Sequence, residues 1–161
     1  MKKSAIIFLV MVSSLAALSQ DKTSAFSPLL SNYLLIKNAL VKGDVANAAE
    51  GANGLILAVN AVDNKSLSAA EQTAFRNVQT KLLSNANIIA AGKDLAKQRV
   101  AFQALSDNMI TLSKATQSAN VIYVDYCPMK KAYWLSEAKE IKNPYFGNAM
   151  LTCGELKEAL Q

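Results

Sequence analysis

The chain has 161 residues, with 17 Lys and Arg, 12 Asp and Glu, and no histidine. This length predicts a single domain with a core large enough to fold alone. The formal charge of +5 is too small and too evenly spread to indicate a nucleic-acid partner. The absence of histidine excludes Ser-His-Asp and Cys-His catalysis, haem ligation by imidazole, and Cys/His zinc fingers.

Residues 1–19 have the pattern of a secretion signal. Two lysines precede a short apolar run, and Ala17 and Ser19 are the small residues expected before a cleavage point, so the mature chain is predicted to start at Gln20. A transmembrane anchor is the alternative, but the run is short and no later stretch is long and apolar enough to span a bilayer. We therefore expect a periplasmic or secreted protein with no stable membrane anchor and a mature charge of +3.

The first two predicted helices are separated by a glycine. Ser27 is predicted as the N-cap of the first helix, Pro28 as its first residue, and Gly43 as its stop. Asp44 can cap the second helix. The predicted inner faces are Leu30, Tyr33, Leu34 and Val41 in the first helix, and Val45, Ala48, Ala52, Leu55, Val59 and Val62 in the second.

Two further helices are predicted before residue 120. Ser68 and Glu71 form a capping box that starts the third helix, and Gly92 ends it. The fourth helix is predicted from about Lys93 to about Ala119. Apolar residues recur at the spacing of an antiparallel bundle: Phe75, Val78, Leu82 and Ile89 in the third helix, and Leu95, Phe102, Leu105, Met109 and Leu112 in the fourth.

The segment from about residue 121 to 155 differs from the helical part. It holds both cysteines, each close to a methionine, as Cys127-x-Met129 and Met150-x-x-Cys153. The residues before Cys127 are β-branched and aromatic and predict an extended strand. A helical turn over Met150–Cys153 would place those two side chains on one face. If the strand end packs beside that turn, four sulfur atoms converge.

Two uses of such sulfur atoms remain open at this point. Thiolate and thioether are soft ligands that select Cu(I), and by the same argument Ag(I), so Cys127, Met129, Met150 and Cys153 are the candidate metal ligands. The alternative is a Cys127–Cys153 disulfide, which closes a loop of about 27 residues and stabilises by about 3.5 kcal/mol. The two uses exclude each other at any one time, because a disulfide leaves no thiolate.

The remaining side chains of this segment are interpreted as structural. The aromatic residues are predicted to pack the segment onto the bundle, and the lysines to form a solvated face. The acidic residues show no spacing typical of general acid–base catalysis, and cysteines 26 positions apart are not a C-x-x-C motif, so we expect no enzyme activity. The aromatic residues are Tyr126, Tyr133, Trp134, Tyr145 and Phe146, and the lysines are Lys130, Lys131, Lys139 and Lys142.

The motifs Y-C-P-M, A-Y-W-L-S, E-I-K-N-P-Y-F-G and M-L-T-C-G-E follow one another between Tyr123 and Glu155. In this order they resemble a bacterial exported domain of unknown function, found alone or appended to periplasmic adaptors of copper/silver efflux pumps. The resemblance implies a metal-handling protein that carries Cu(I) or Ag(I), with an efflux component as a partner. The adaptor portions are absent from this sequence, so a free-standing carrier is favoured over a part of the pump.

The expected fold is therefore mainly α. It consists of an antiparallel four-helix bundle over a single domain, residues 20–161, followed by an irregular or short-strand segment that carries both cysteines.

Overall fold

The computed structural model describes residues 25–116, 118 and 120–161. The predicted signal peptide lies outside the described residues. Four helices are followed by a small antiparallel sheet, which confirms the predicted fold class. The helices are α1 (Ser27–Lys42), α2 (Val45–Asn60), α3 (Ala69–Ala91) and α4 (Leu95–Ala115), and the strands are β1 (Ile122–Cys127), β2 (Ala132–Ser136) and β3 (Glu155–Leu160). No helix in these residue ranges is long and apolar enough to cross a membrane.

Most helix ends are where side-chain chemistry predicts them. Gly43 has the left-handed conformation (φ 74°) that ends α1, and the Asp44 carboxylate accepts the Asn47 N–H at the start of α2. Both hydrogen bonds of the capping box between Ser68 and Glu71 are present.

Two predicted helix starts and one predicted end are wrong. Helix α1 begins at Ser27 itself, so Phe26 takes the N-cap position that was predicted for Ser27. Helix α4 begins at Leu95, because Asp94 is its N-cap: the Asp94 carboxylate accepts the N–H groups of Ala96 and Lys97. It ends at Ala115, four residues earlier than predicted. Thr116 already has extended backbone angles and leads the chain towards β1.

Consecutive helices pack on one another, and the predicted inner faces of α2, α3 and α4 are largely buried. The predicted face of α1 is wrong, because only Tyr33 among its four residues is fully buried. This helix is apolar on most sides, so periodicity alone does not select the face. Contact with both α2 and the sheet selects Leu29, Tyr33, Ile36, Lys37, Ala39 and Leu40 instead.

The three strands form a sheet in the order β2-β1-β3, with both pairings antiparallel. The extended β1 was predicted, whereas β2 and β3 were not. Residues 128–131 turn the chain between β1 and β2, and Lys131 has a positive φ of 55° in that turn. The register places Asp125 opposite Trp134, and Cys127 opposite Ala132.

Tyrosine hydroxyl groups fix β2 against the helices. Tyr33 on α1 exchanges a hydrogen bond of 2.7 Å with Ser106 on α4, and its oxygen accepts the Leu135 N–H at 3.0 Å. On the same side of β2, the Tyr145 hydroxyl donates to the carbonyl of Tyr133. Two outward backbone groups of β2, the N–H of Leu135 and the carbonyl of Tyr133, are therefore paired with side chains, which fixes the sheet on the bundle.

Candidate functional site

The structure brings the two cysteine sulfurs together. Cys127 is the last residue of β1, and Cys153 lies in the turn before β3, so the β1–β3 pairing places both at one end of the sheet. The Sγ–Sγ distance is 3.7 Å, and both residues are free thiols. This distance is van der Waals contact, well beyond the length of about 2.05 Å of a disulfide bond. Cys127 is fully buried and Cys153 is half-buried.

Backbone N–H groups of the turn after β1 approach both sulfurs. The Lys130 N–H donates to Cys127 Sγ at 3.4 Å. Burial raises the pKa of the Cys153 thiol, and its contact with Cys127 adds to this, while a hydrogen bond from the Met129 backbone lowers it in part. The net effect is that the Cys153 thiol holds its proton more tightly than an ordinary thiol.

The two methionines enter this site through their backbones. The carbonyl of Met150 accepts the Cys153 N–H at 3.1 Å, which closes a turn, but the helical turn predicted for these residues is wrong because Met150 has non-helical backbone angles. Met150 is half-buried, whereas the Met129 side chain is 67% exposed. Of the four sulfur atoms predicted to converge, the two thiols are in contact. The approach of the Met129 and Met150 thioethers to them stays a prediction.

Asn143 holds the cysteine-bearing turn in place. Its side-chain amide donates to the carbonyl of Cys153 at 2.6 Å, and its side-chain oxygen accepts the N–H groups of Tyr145 and Phe146. Its backbone N–H donates to the carbonyl of Leu151 at 2.8 Å. One buried side chain therefore ties the N-P-Y-F-G loop to the position of Cys153.

Arg99 attaches the same loop to the helices. From α4, it donates to the carbonyl of Leu40 at the end of α1 and to the carbonyl of Pro144 in the loop. Gly147 lies against this guanidinium group and has a φ of 56°, so a side chain here would be strained and would meet Arg99 and the Val41 carbonyl. The loop is thus fixed at both ends, which positions Asn143.

The predicted packing role of the aromatic residues holds for those in the interior. Trp134 is fully buried and meets Tyr145 edge-on, with ring centroids 6.0 Å apart, and Tyr145 meets Phe102 of α4 at 5.9 Å. Tyr126 and Tyr133 instead form a pair at 4.6 Å near the surface, where Tyr133 is 40% exposed. Lys157 lies over the Tyr126 ring at 5.4 Å.

A buried carboxyl group near the thiols was not predicted from the sequence. Asp125 is two residues before Cys127 in β1, so both side chains point to the same face of the sheet. Asp125 is fully buried, and neither carboxyl oxygen has a hydrogen-bond partner among the described residues. Burial raises the pKa of Asp125 to about 6, and the charge of the buried Lys37 on α1 opposes part of this rise.

The raised pKa of Asp125 predicts how the free energy of unfolding changes with pH. The ordinary pKa of 3.8 applies to the unfolded chain and about 6 to the folded chain, so the folded state binds the proton more tightly. The stabilising contribution of Asp125 therefore falls as the pH rises from about 4 to about 6, by roughly 2 to 3 kcal/mol. Relative to the wild type, Asp125→Asn is expected to gain this amount over the same interval, because an amide does not ionise.

Urea unfolding of both proteins at a series of pH values measures this difference. Glu50→Gln, at an exposed position of α2, is the control for the loss of one carboxylate. If the free energies of unfolding of the wild type and Asp125→Asn change with pH in parallel, the shifted pKa is contradicted.

Within the described ranges, no group of three or more His, Cys, Asp or Glu side chains could hold a metal ion. Any metal at the two thiols must therefore take its further ligands from thioether, backbone or solvent. Two of the lysines here lie beside glutamates: Lys142 Nζ is 3.0 Å from Glu140, and Lys157 Nζ is 2.6 Å from Glu155. The charge at this end of the molecule is thus mixed.

The fold defines the class of this protein: four helices carry a small antiparallel sheet, with two cysteines in contact at one end of it. The family described as "Protein of unknown function (DUF3347)" matches residues 29–120, more than half of the chain, and the chain belongs to this family. The matched region covers the four helices and ends before β1, so the motifs around the cysteines lie beyond it. No curated protein and no solved structure matches the chain.

Proposed function

We propose that this chain is an exported protein that binds Cu(I) or Ag(I) through the thiolates of Cys127 and Cys153. The observation that supports this most is the 3.7 Å contact of two free thiols at one end of the sheet. Thiolates are soft ligands that suit Cu(I), and the absence of histidine from the chain makes a typical zinc or Cu(II) site less suitable.

The separation of the sulfurs bears on the geometry of such a site. With metal–sulfur bonds of about 2.3 Å, a linear two-thiolate ion needs about 4.6 Å between the sulfurs, whereas a bent arrangement near the tetrahedral angle needs about 3.7 Å. The observed 3.7 Å therefore favours bent coordination, which leaves room for a third ligand. The thioethers of Met129 and Met150 are the soft donors proposed to supply it.

Metal binding at these thiols is expected to depend on pH. The thiol must lose its proton to bind, and the pKa of Cys153 is raised by burial and by its neighbour, so the proton competes with the metal. Affinity is therefore expected to fall on acidification. A hydrogen bond from the Met129 backbone partly offsets this competition, because it lowers the pKa of the Cys153 thiol.

The test is a competition for Cu(I) between the reduced protein and a chromogenic chelator, in the absence of oxygen. Cys153→Ser is expected to weaken binding by at least about 100-fold, and Met129→Leu or Met150→Leu by about 10-fold. Met109→Leu is the matched control, since Met109 is buried in the core of the bundle on α4. Loss of all the metal from the reduced wild type to a weak chelator would rule out the proposal.

The biological setting proposed for this binding is metal handling next to a copper/silver efflux system. It rests on the motif resemblance between Tyr123 and Glu155, together with the secretion-signal pattern of residues 1–19. In this setting the chain sequesters the ion or passes it to an efflux component. Loss of the gene product is then expected to sensitise cells to copper or silver.

A second candidate is a domain for protein interaction, pinned by a Cys127–Cys153 disulfide. The same contact supports it, since modest side-chain rotations would bring the sulfurs to bonding distance. The tyrosine pair at the surface, Tyr126 and Tyr133, then provides the docking surface. Titration of free thiols in protein isolated from the periplasm separates the candidates, because this one predicts no reactive thiol.

A further inference from the structure

The two thiols differ in how far each is exposed to solvent. Cys127 is completely covered, whereas Cys153 is half-buried and lies in the turn that leads into the exposed strand β3. A sulfur in a second molecule can therefore approach Cys153 but not Cys127. The 3.7 Å contact then places Cys127 Sγ beside Cys153 Sγ, the atom that would form a mixed disulfide with a second molecule.

This arrangement has the parts that thiol–disulfide exchange requires. Exchange needs an accessible thiolate to attack a disulfide, and a second thiol within reach to displace the bound partner. The Lys130 N–H donates to Cys127 Sγ at 3.4 Å and so helps to hold the covered thiol beside Cys153. Asn143 holds the carbonyl of Cys153, which fixes the turn that carries the attacking residue.

We propose that Cys127 and Cys153 form a thiol–disulfide exchange site, with Cys153 as the attacking thiol and Cys127 as the resolving thiol. The substrate class is an accessible disulfide, either in a peptide or in a small molecule. The Cys153 thiolate bonds to one substrate sulfur, and the other substrate sulfur leaves as a thiolate and takes up a proton. The Cys127 thiolate then bonds to Cys153 Sγ, and the second substrate sulfur leaves.

The electrons balance without a further reactant. The protein dithiol loses two electrons and two protons and becomes the Cys127–Cys153 disulfide, and the substrate disulfide is reduced to two thiols. In this direction the pair serves as an electron donor.

This activity is independent of metal binding, although both use the same sulfurs. The exchange site works in the presence of a copper chelator, and the metal site works without any disulfide substrate. Failure of one therefore leaves the other standing. Where both hold, oxidation to the disulfide releases the bound ion, because no thiolate remains to bind it.

The experiment treats the reduced, metal-free protein with glutathione disulfide in the presence of a chelator. The wild type is expected to form the intramolecular disulfide with release of both glutathione thiols. Cys127→Ser and Cys127→Ala are expected to accumulate a mixed disulfide with glutathione at Cys153, located by peptide mass spectrometry. Cys153→Ser is expected to react at least about 100-fold more slowly, since its remaining thiol is covered.

Three results would overturn the proposal. The first is a wild-type pair that stays reduced across a glutathione redox series, and the second is a mixed disulfide at Cys127 instead of Cys153. The third is oxidation that yields disulfide-linked dimers in place of the intramolecular bond. Because the first and third are read on the wild type, the test does not depend on the folding of the buried-site variants.

Discussion

Replacement of Trp134 by alanine is expected to lower the free energy of unfolding by about 4 kcal/mol. The side chain is completely buried in β2, meets Tyr145 edge-on, and lies against Gly154 beside Cys153. Its removal leaves a large cavity between the sheet and the loop that carries Cys153. Urea unfolding followed by circular dichroism measures the loss, since the variant has no other tryptophan for fluorescence.

Trp134→Phe separates the packing of the ring from its polar group. The Nε1 of Trp134 is buried and has no hydrogen-bond partner in the part of the chain that the structure describes. Phenylalanine keeps an aromatic ring against Tyr145 and removes an unpaired donor, so this variant is expected to lose less than about 2 kcal/mol. Equal losses for the two variants would mean that the indole N–H, and not the ring, stabilises the fold.

Replacement of Asn143 by alanine is expected to cost about 3 kcal/mol and to release Cys153 from its position. The change leaves the buried N–H groups of Tyr145 and Phe146 and the carbonyl of Cys153 without their partner. The turn before β3 then loosens, so Cys153 is expected to react several-fold faster with a small alkylating reagent. Denaturant unfolding and the alkylation rate are the two measurements.

Asn143→Ser tests whether the bond to Cys153 is the cause. Serine keeps an oxygen that accepts a nearby backbone N–H but does not reach the carbonyl of Cys153, so it is expected to cost less stability and still speed the reaction. Asn87→Ser, at an exposed position of α3, is the control. An alkylation rate that stays at the wild-type value in both Asn143 variants would show that this residue does not position the thiol.

Local chemistry explains what the sequence predicted well. The capping box at Ser68 and the stop at Gly43 act within one helical turn, so their residues are close in the sequence as well as in the fold. The faces of α3 and α4 followed from spacing because each helix has a single apolar stripe. The contact of Cys127 with Cys153 was anticipated from two sulfur pairs at the ends of one segment.

Features that depend on tertiary contacts were missed or misplaced. Strand β3 is exposed along most of its length, so it lacks the alternation of a half-buried strand, and its pairing with β1 defines it. The inner face of α1 depends on where the sheet docks, through Tyr33. The burial of Asp125 opposite Trp134 follows from the register of β1 with β2, which no local pattern specifies.

The two tyrosine hydroxyls that bond to Leu135 and Tyr133 also limit how this small sheet can grow. An added strand from another molecule would have to break both of these hydrogen bonds to pair beside β2, and the other edge of the sheet is β3. There Glu155, Lys157 and Glu158 present alternating charges on an exposed strand, which is a known deterrent to edge-to-edge aggregation. These charges oppose the pairing of this edge with the same edge of a second molecule.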